Sequence, residues 1–110
     1  MGIPFKLKMT WDDFWLEQQN NPNCELVFCY KGNTYILLHE NHSWMICEYN
    51  YGTSTVGKIL IKVNENHTDQ CNYHRSEDWN ELLSKCHDIL CSPIFDGKSF
   101  KDIIDSILFE

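Results

Sequence analysis

The feature that most limits what this chain can fold into is the stretch from Cys24 to Val63, where four β-like runs are separated only by short turn signals. Cys24 to Tyr30 is followed by Lys31-Gly32-Asn33 and then by Thr34-Tyr35-Ile36-Leu37-Leu38, the pattern of a hairpin. A second turn, His39-Glu40-Asn41-His42, leads into Ser43 to Tyr49, and the glycine-bearing stretch Asn50 to Gly57 leads into Lys58 to Val63. Four strands joined by short turns predict an antiparallel meander. In the fourth run Ile59, Ile61 and Val63 alternate with Lys58, Leu60 and Lys62, so a strand with one solvated side is expected there.

Helical patterns flank this core. Thr10 can cap a helix in which Asp13 reaches back to the cap amide, Met9 staples onto Phe14, and Trp11, Phe14 and Trp15 share a face; Asn20-Asn21-Pro22 should end it. Asn64 to Arg75 is polar, lacks periodicity and reads as a loop. Ser76-Glu77-Asp78 then opens a second helix with acids where the macrodipole favours them, and Trp79, Leu82, Leu83, Cys86 and Leu90 form its buried stripe before Ser92-Pro93 stops it. After a turn at Ile94 to Lys98, Ser99 and Asp102 cap a last helix whose Phe100, Ile103, Ile104, Ile107 and Leu108 face inward. The expected fold is therefore α+β: a four-stranded antiparallel meander with one N-terminal and two C-terminal helices on one face. At 110 residues, residues 1–110 form a single domain around one core.

Nine Lys and Arg against sixteen Asp and Glu leave a net charge of −7. Such a field repels phosphates, which disfavours direct nucleic-acid binding and favours a protein partner with a basic surface. No apolar run approaches the ~18 residues that span a bilayer. The start of the sequence lacks a hydrophobic signal core, so a cytoplasmic setting is expected. In that reducing setting the six cysteines are not expected to pair, and Cys24, Cys29 and Cys47 read as small core hydrophobes.

The Trp11-x-x-Phe14-Trp15 helix, the Tyr30-Lys31-Gly32-Asn33-Thr34-Tyr35 hairpin and the closing Phe95-Asp96-Gly97-Lys98-Ser99-Phe100-Lys101-Asp102-Ile103 together resemble small proteins carried by phages and mobile elements of Gram-positive hosts. That resemblance implies an accessory factor or inhibitor that blocks a host protein, of the kind that includes anti-CRISPR proteins acting on CRISPR effectors. It carries over no catalytic residue, because its last motif is a turn and a helix cap.

Sites of chemistry are weakly marked. Cys71-x-x-His74 with Cys86 and Cys91, and with His67 and His87 nearby, supplies enough soft ligands for tetrahedral zinc, but a separation of five along a helix points Cys86 and Cys91 apart. A cofactor is not expected. A Cys-His hydrolase is the enzymatic alternative: Cys86 and His87, neighbours about 100° apart on a helix, cannot form its dyad, whereas His42 or His74 could meet Cys47 or Cys71. His39-Glu40-Asn41-His42 lacks zincin spacing, and Tyr51 to Gly57 lacks the lysine of a phosphate cradle. The remaining candidates are binding residues. Asp12, Asp13 and Glu17 on the first helix and Glu77, Asp78 and Glu81 on the second would form acidic docking faces for a nuclease or effector. Trp44, Tyr49 and Tyr51 would supply an aromatic contact patch. The expected function is thus a small acidic, non-enzymatic binding protein, with a zinc-stabilised module as the structural alternative.

Overall fold

The computed structural model describes residues 7–20, 25–40, 43–64 and 76–109, with 76–79 described for the backbone alone. Its elements are α1 (Trp11–Asn20), β1 (Glu25–Tyr30), β2 (Asn33–Glu40), β3 (Ser43–Asn50), β4 (Thr55–Asn64), α2 (Ser76–Leu90), α3 (Phe100–Ile103) running into a single 3-10 turn (Ile104–Ser106), and β5 (Leu108–Phe109). The strands make one antiparallel sheet of five in the order β4-β3-β2-β1-β5. The meander expected from the sequence makes four of these strands, and β5 adds to it beside β1. Among the described residues, no helix is long and apolar enough to cross a membrane. The expected stop at Asn21-Pro22, Cys24, the Asn41-His42 turn, residues 65–75 and the Trp79 side chain all lie outside the described residues.

Register decides which side chains meet the helices. Phe28 lies opposite Tyr35, Leu37 opposite Ile46, Ile46 opposite Ile61, and Trp44 opposite Val63. These residues share one face, because side chains directly opposite on paired strands point the same way. The same cluster takes in Phe14 of α1, Leu82, Cys86 and Ile89 of α2, and Phe100 and Ile103 of α3. Phenyl rings tie the layers together. Phe28 and Phe14 each lie 5.1 Å from Phe100, and Phe14 stacks on Phe109 at 5.7 Å. Burying each ring contributes roughly 1.5–3 kcal/mol. The other face of the sheet carries a smaller cluster made of strand residues alone among those described: Ile36, Met45 and Cys47, with Val27, Leu38 and Tyr49 against it.

Two expectations change. The fourth strand does not keep a period of two. Its register slips against β3 on both sides of Cys47, which pairs with Ile59, while Ile46 pairs with Ile61 and Tyr49 with Val56. Each slip inserts one extra residue and reverses the side-chain alternation. Ile61 and Val63 therefore stay with the helices, Leu60 joins them there, and Ile59 turns to the opposite face with about half its surface exposed. Bulges on this strand suit its place at the edge of the sheet, where they disturb the flat template that a foreign strand would pair with.

The chain end differs too. The capping box forms: the Asp102 amide donates to Ser99 Oγ at 3.2 Å, and the Ser99 amide donates to Asp102 Oδ2 at 3.0 Å. Yet the helix stops at Ile103, and residues 108–109 extend into β5 instead of continuing as helix. Phe109 pairs with Phe28 on one side and Leu7 on the other, where reciprocal amide–carbonyl bonds of 3.3 and 2.8 Å close the bridge. The free edge of β1 supplies partners that a longer helix would leave unmet, and β-branched Ile103, Ile104 and Ile107 weaken the helical alternative.

Candidate functional site: a cleft at the turn end of the sheet

Three connections gather beyond one end of the sheet. The β1–β2 turn carries Lys31 and Gly32 at φ 50° and 78°, and the turn before α3 carries Asp96 and Gly97 at φ 54° and 83°. Two consecutive positive φ values belong to the I′ hairpin turn, which matches the twist of the strands it joins. In the second turn, Phe95 and Lys98 exchange amide–carbonyl bonds of 2.9 and 3.0 Å. The third connection is the β3–β4 loop, where the Thr53 amide donates to Asn50 Oδ1 at 3.3 Å.

Between them lies an open cleft of ≈ 900 Å³. Tyr35 and Glu48, directly opposite on β2 and β3, make part of its floor, with Gly57 beyond them on β4. A Cβ at Gly57 would sit 3.5 Å from the Glu48 carbonyl oxygen and 3.6 Å from its Cβ, so a side chain there would pack along Glu48 and take up cleft space. Glycine leaves that space open. Tyr30 and Phe95 form a wall, edge to face at 5.6 Å, and Tyr35 meets Phe95 the same way at 5.2 Å. Asn33, Asn50 and Tyr51 stand at the rim.

Electrostatics in the cleft are mixed. Burial pushes the Tyr35 phenol above its ordinary 10.0, a hydrogen bond from the Asn33 side chain works against this, and the carboxylates of Glu48 and Asp96 add to the rise. Both acids therefore bear on the same phenol oxygen from two different elements. The Lys31 ammonium lies 5.4 Å from the centre of the Tyr30 ring. No histidine or cysteine is among the described residues lining the cleft. Lys58 lines the cleft as well, so two ammonium groups stand against the two carboxylates, and rings, amides and charges in this arrangement can hold a planar or charged group.

The residues expected to bind a partner are divided by the fold. Tyr49 and Tyr51 both line the cleft, Tyr51 with 41% of its surface exposed. Trp44 is a correction: it is fully buried, and its indole N–H donates to the Leu82 carbonyl at 3.1 Å, locking β3 to α2. Its parity with Ile46 puts it on the helix side. Asp12, Asp13 and Glu17 are exposed on α1, which contributes nothing to the cleft, and Glu81 is half-buried on α2. The side chains of Glu77 and Asp78 lie outside the described residues. Tyr30, Tyr35, Phe95 and Asp96 stand out in the sequence only as parts of turn motifs, and Glu48 does not stand out at all. Tyr30 and Tyr35 flank a glycine turn, a legible signal, but Glu48 and Asp96 reach them only through register and the packing of a distant turn.

Other clusters carry less chemistry. Cys86 is buried in the main core while Cys91 is exposed, so the two thiols do diverge as their spacing implied. Among the described residues no group of three or more His, Cys, Asp or Glu is placed to hold a metal ion; Cys71, His74 and His67 lie outside them. The sequence reading missed that His87 meets Cys91 one turn on, with Sγ 3.8 Å from Nδ1 and 3.7 Å from Nε2. Near-equal distances to both nitrogens mean that the sulfur lies along neither N–H direction, a poor geometry for proton transfer. The same imidazole meets Trp15 edge-on at 5.1 Å and Trp11 at 6.1 Å, so it packs α2 onto α1. Burial, with Glu40 adding, pushes the Cys47 thiol up, which keeps it protonated and unreactive. Comparison with protein-family models, with curated proteins and with solved structures returns no match to this chain.

Proposed function

We propose that this protein is a non-enzymatic binding protein that engages a basic surface on a protein partner, with the turn-end cleft as its contact site. In this reading it works in the cytoplasm as a phage-type inhibitor or accessory factor, blocking a host protein such as a nuclease or CRISPR effector by surface complementarity. The observation that carries it is the cleft itself. Over the buried Tyr30 and Phe95 it is lined by Tyr35, Tyr49 and the exposed Tyr51, and the Glu48 and Asp96 carboxylates both raise the Tyr35 phenol. Aromatic side chains give large contact area at little entropic cost, and they dominate the energetics of protein interfaces. Turns anchored on a sheet are rigid enough to present such groups without reordering. The net charge of −7 supports the same reading, since it speeds encounter with a basic surface and repels nucleic acid.

Comparative capture tests the proposal. Wild-type protein and the Glu48→Lys/Tyr51→Ser variant are immobilised in parallel and exposed to a lysate of the native host. The expected result is a protein with a basic surface held by the wild type at low salt and lost from the variant. Equal retention of the same proteins by both would end the assignment of the contact to this cleft.

A further inference from the structure

The cleft brings two carboxylates, Glu48 and Asp96, together with Lys31 and Lys58 around an aromatic wall, and its pairing of rings with acids fits a planar cation. Phe95 meets Tyr30 and Tyr35 edge to face at 5.6 and 5.2 Å; Tyr30 and Phe95 are themselves buried, and Tyr35 keeps part of its surface open. Glu48 enters from β3 and Asp96 from the turn before α3, and among the described residues neither is drawn into an ion pair. Gly57 keeps the approach to Glu48 clear, since any side chain there would lie against it. The chain already shows what these rings attract, for the Lys31 ammonium rests over the Tyr30 face at 5.4 Å.

We infer that the cleft is a receptor for a single arginine side chain of the partner, whose guanidinium lies against the tyrosine rings and is bound by Glu48 and Asp96. This rests on the binding reading above and gives it a chemical identity. A guanidinium is planar, so it stacks on a ring while its N–H fork meets carboxylates in the ring plane, and an ammonium cannot do both at once. It is also the less strongly hydrated of the two cations, which favours it where one wall is aromatic. Lys31 then acts as an internal competitor at the Tyr30 face. The overall negative charge brings such a partner in, and the cleft selects the side chain.

The test uses the whole protein and small probes. N-acetyl-arginine methylamide, the lysine analogue and the neutral citrulline analogue are titrated against it, and the ring protons of Tyr30, Tyr35 and Phe95 are followed by NMR. The arginine probe should shift these three rings in a saturable way, and the citrulline probe should not. Glu48→Gln should weaken the arginine probe by roughly tenfold through loss of one charge-assisted contact. Lys31→Asn, which tolerates the positive φ of that turn position, should strengthen it by uncovering Tyr30. Both positions are exposed, and an unchanged Tm shows that each variant is folded. Equal response to lysine or citrulline, no localised shift, or undiminished binding by Glu48→Gln would overturn the inference. A captured partner that binds Glu48→Gln and Asp96→Asn as tightly as wild type would sink the arginine receptor and leave the binding reading standing. Saturable arginine binding with no partner captured would do the reverse.

Discussion

At the scale of single residues, Trp44 belongs wholly to the core while Tyr35 borders both the core and the cleft. Trp44 is a keystone of the core: among the described residues it is the largest fully buried side chain, and its indole N–H meets the Leu82 carbonyl between β3 and α2. Trp44→Phe keeps most of the apolar volume and loses the bond, so it should cost about 1–3 kcal/mol of unfolding free energy in urea titrations. Trp44→Ala should cost about 3–5 kcal/mol. Neither should alter how the cleft treats an arginine probe as long as the protein is folded. Tyr35 reports on the cleft in the opposite way. Glu48→Gln or Asp96→Asn removes a negative charge that raises its phenol, so its ultraviolet or NMR titration should move down toward 10.0 while stability hardly changes. The sequence marks Tyr49 and Tyr51 as candidates because no core pattern claims them; it hides Glu48 and Asp96, whose shared target exists only once β2, β3 and the turn before α3 are assembled.

At the scale of elements, local signals that are chemical survive and those that are only periodic do not all survive. The Lys31-Gly32 and Asp96-Gly97 turns form as their glycines imply, and Ser99 with Asp102 closes a capping box. That box has a pH signature. The Ser99 amide and hydroxyl hold the Asp102 carboxyl below its ordinary 3.8, so its contribution is complete above 3.8 and is lost as pH falls through the lower value in the folded protein. Asp102→Asn should therefore flatten the loss of stability below 3.8 relative to wild type, as measured by denaturant unfolding at neutral and acid pH. The alternation in β4 and the helical period at 107–108 were overruled by neighbours: two bulges re-aim Ile59 and Leu60, and the open edge of β1 draws Leu108 and Phe109 into a strand. Neither event leaves a trace in local sequence, since both depend on which partner strand is adjacent. Gly57 separates fold from function within one element. Gly57→Val puts a favourable strand former on β4 but lays it along Glu48, so stability should hold or rise while partner binding falls.

At the scale of the whole molecule, the helices and the cleft divide the work. Asp12, Asp13 and Glu17 are exposed on α1, away from the cleft, and the net charge of −7 surrounds both. Charges remote from a contact act mainly on encounter. The Asp12→Lys, Asp13→Lys, Glu17→Lys combination should lower the association rate by roughly tenfold or more and flatten its dependence on salt, with a smaller effect on dissociation. If it abolishes binding by speeding dissociation instead, the helix face itself is the contact. The central claim, that the turn end of the sheet is where this protein meets its partner, is tested most directly by hydrogen–deuterium exchange with and without the captured partner. The account predicts new protection of amides in 31–35, 50–58 and 94–98, with α1 unchanged; protection confined to α1 or α2, and none at the turn end, would contradict it.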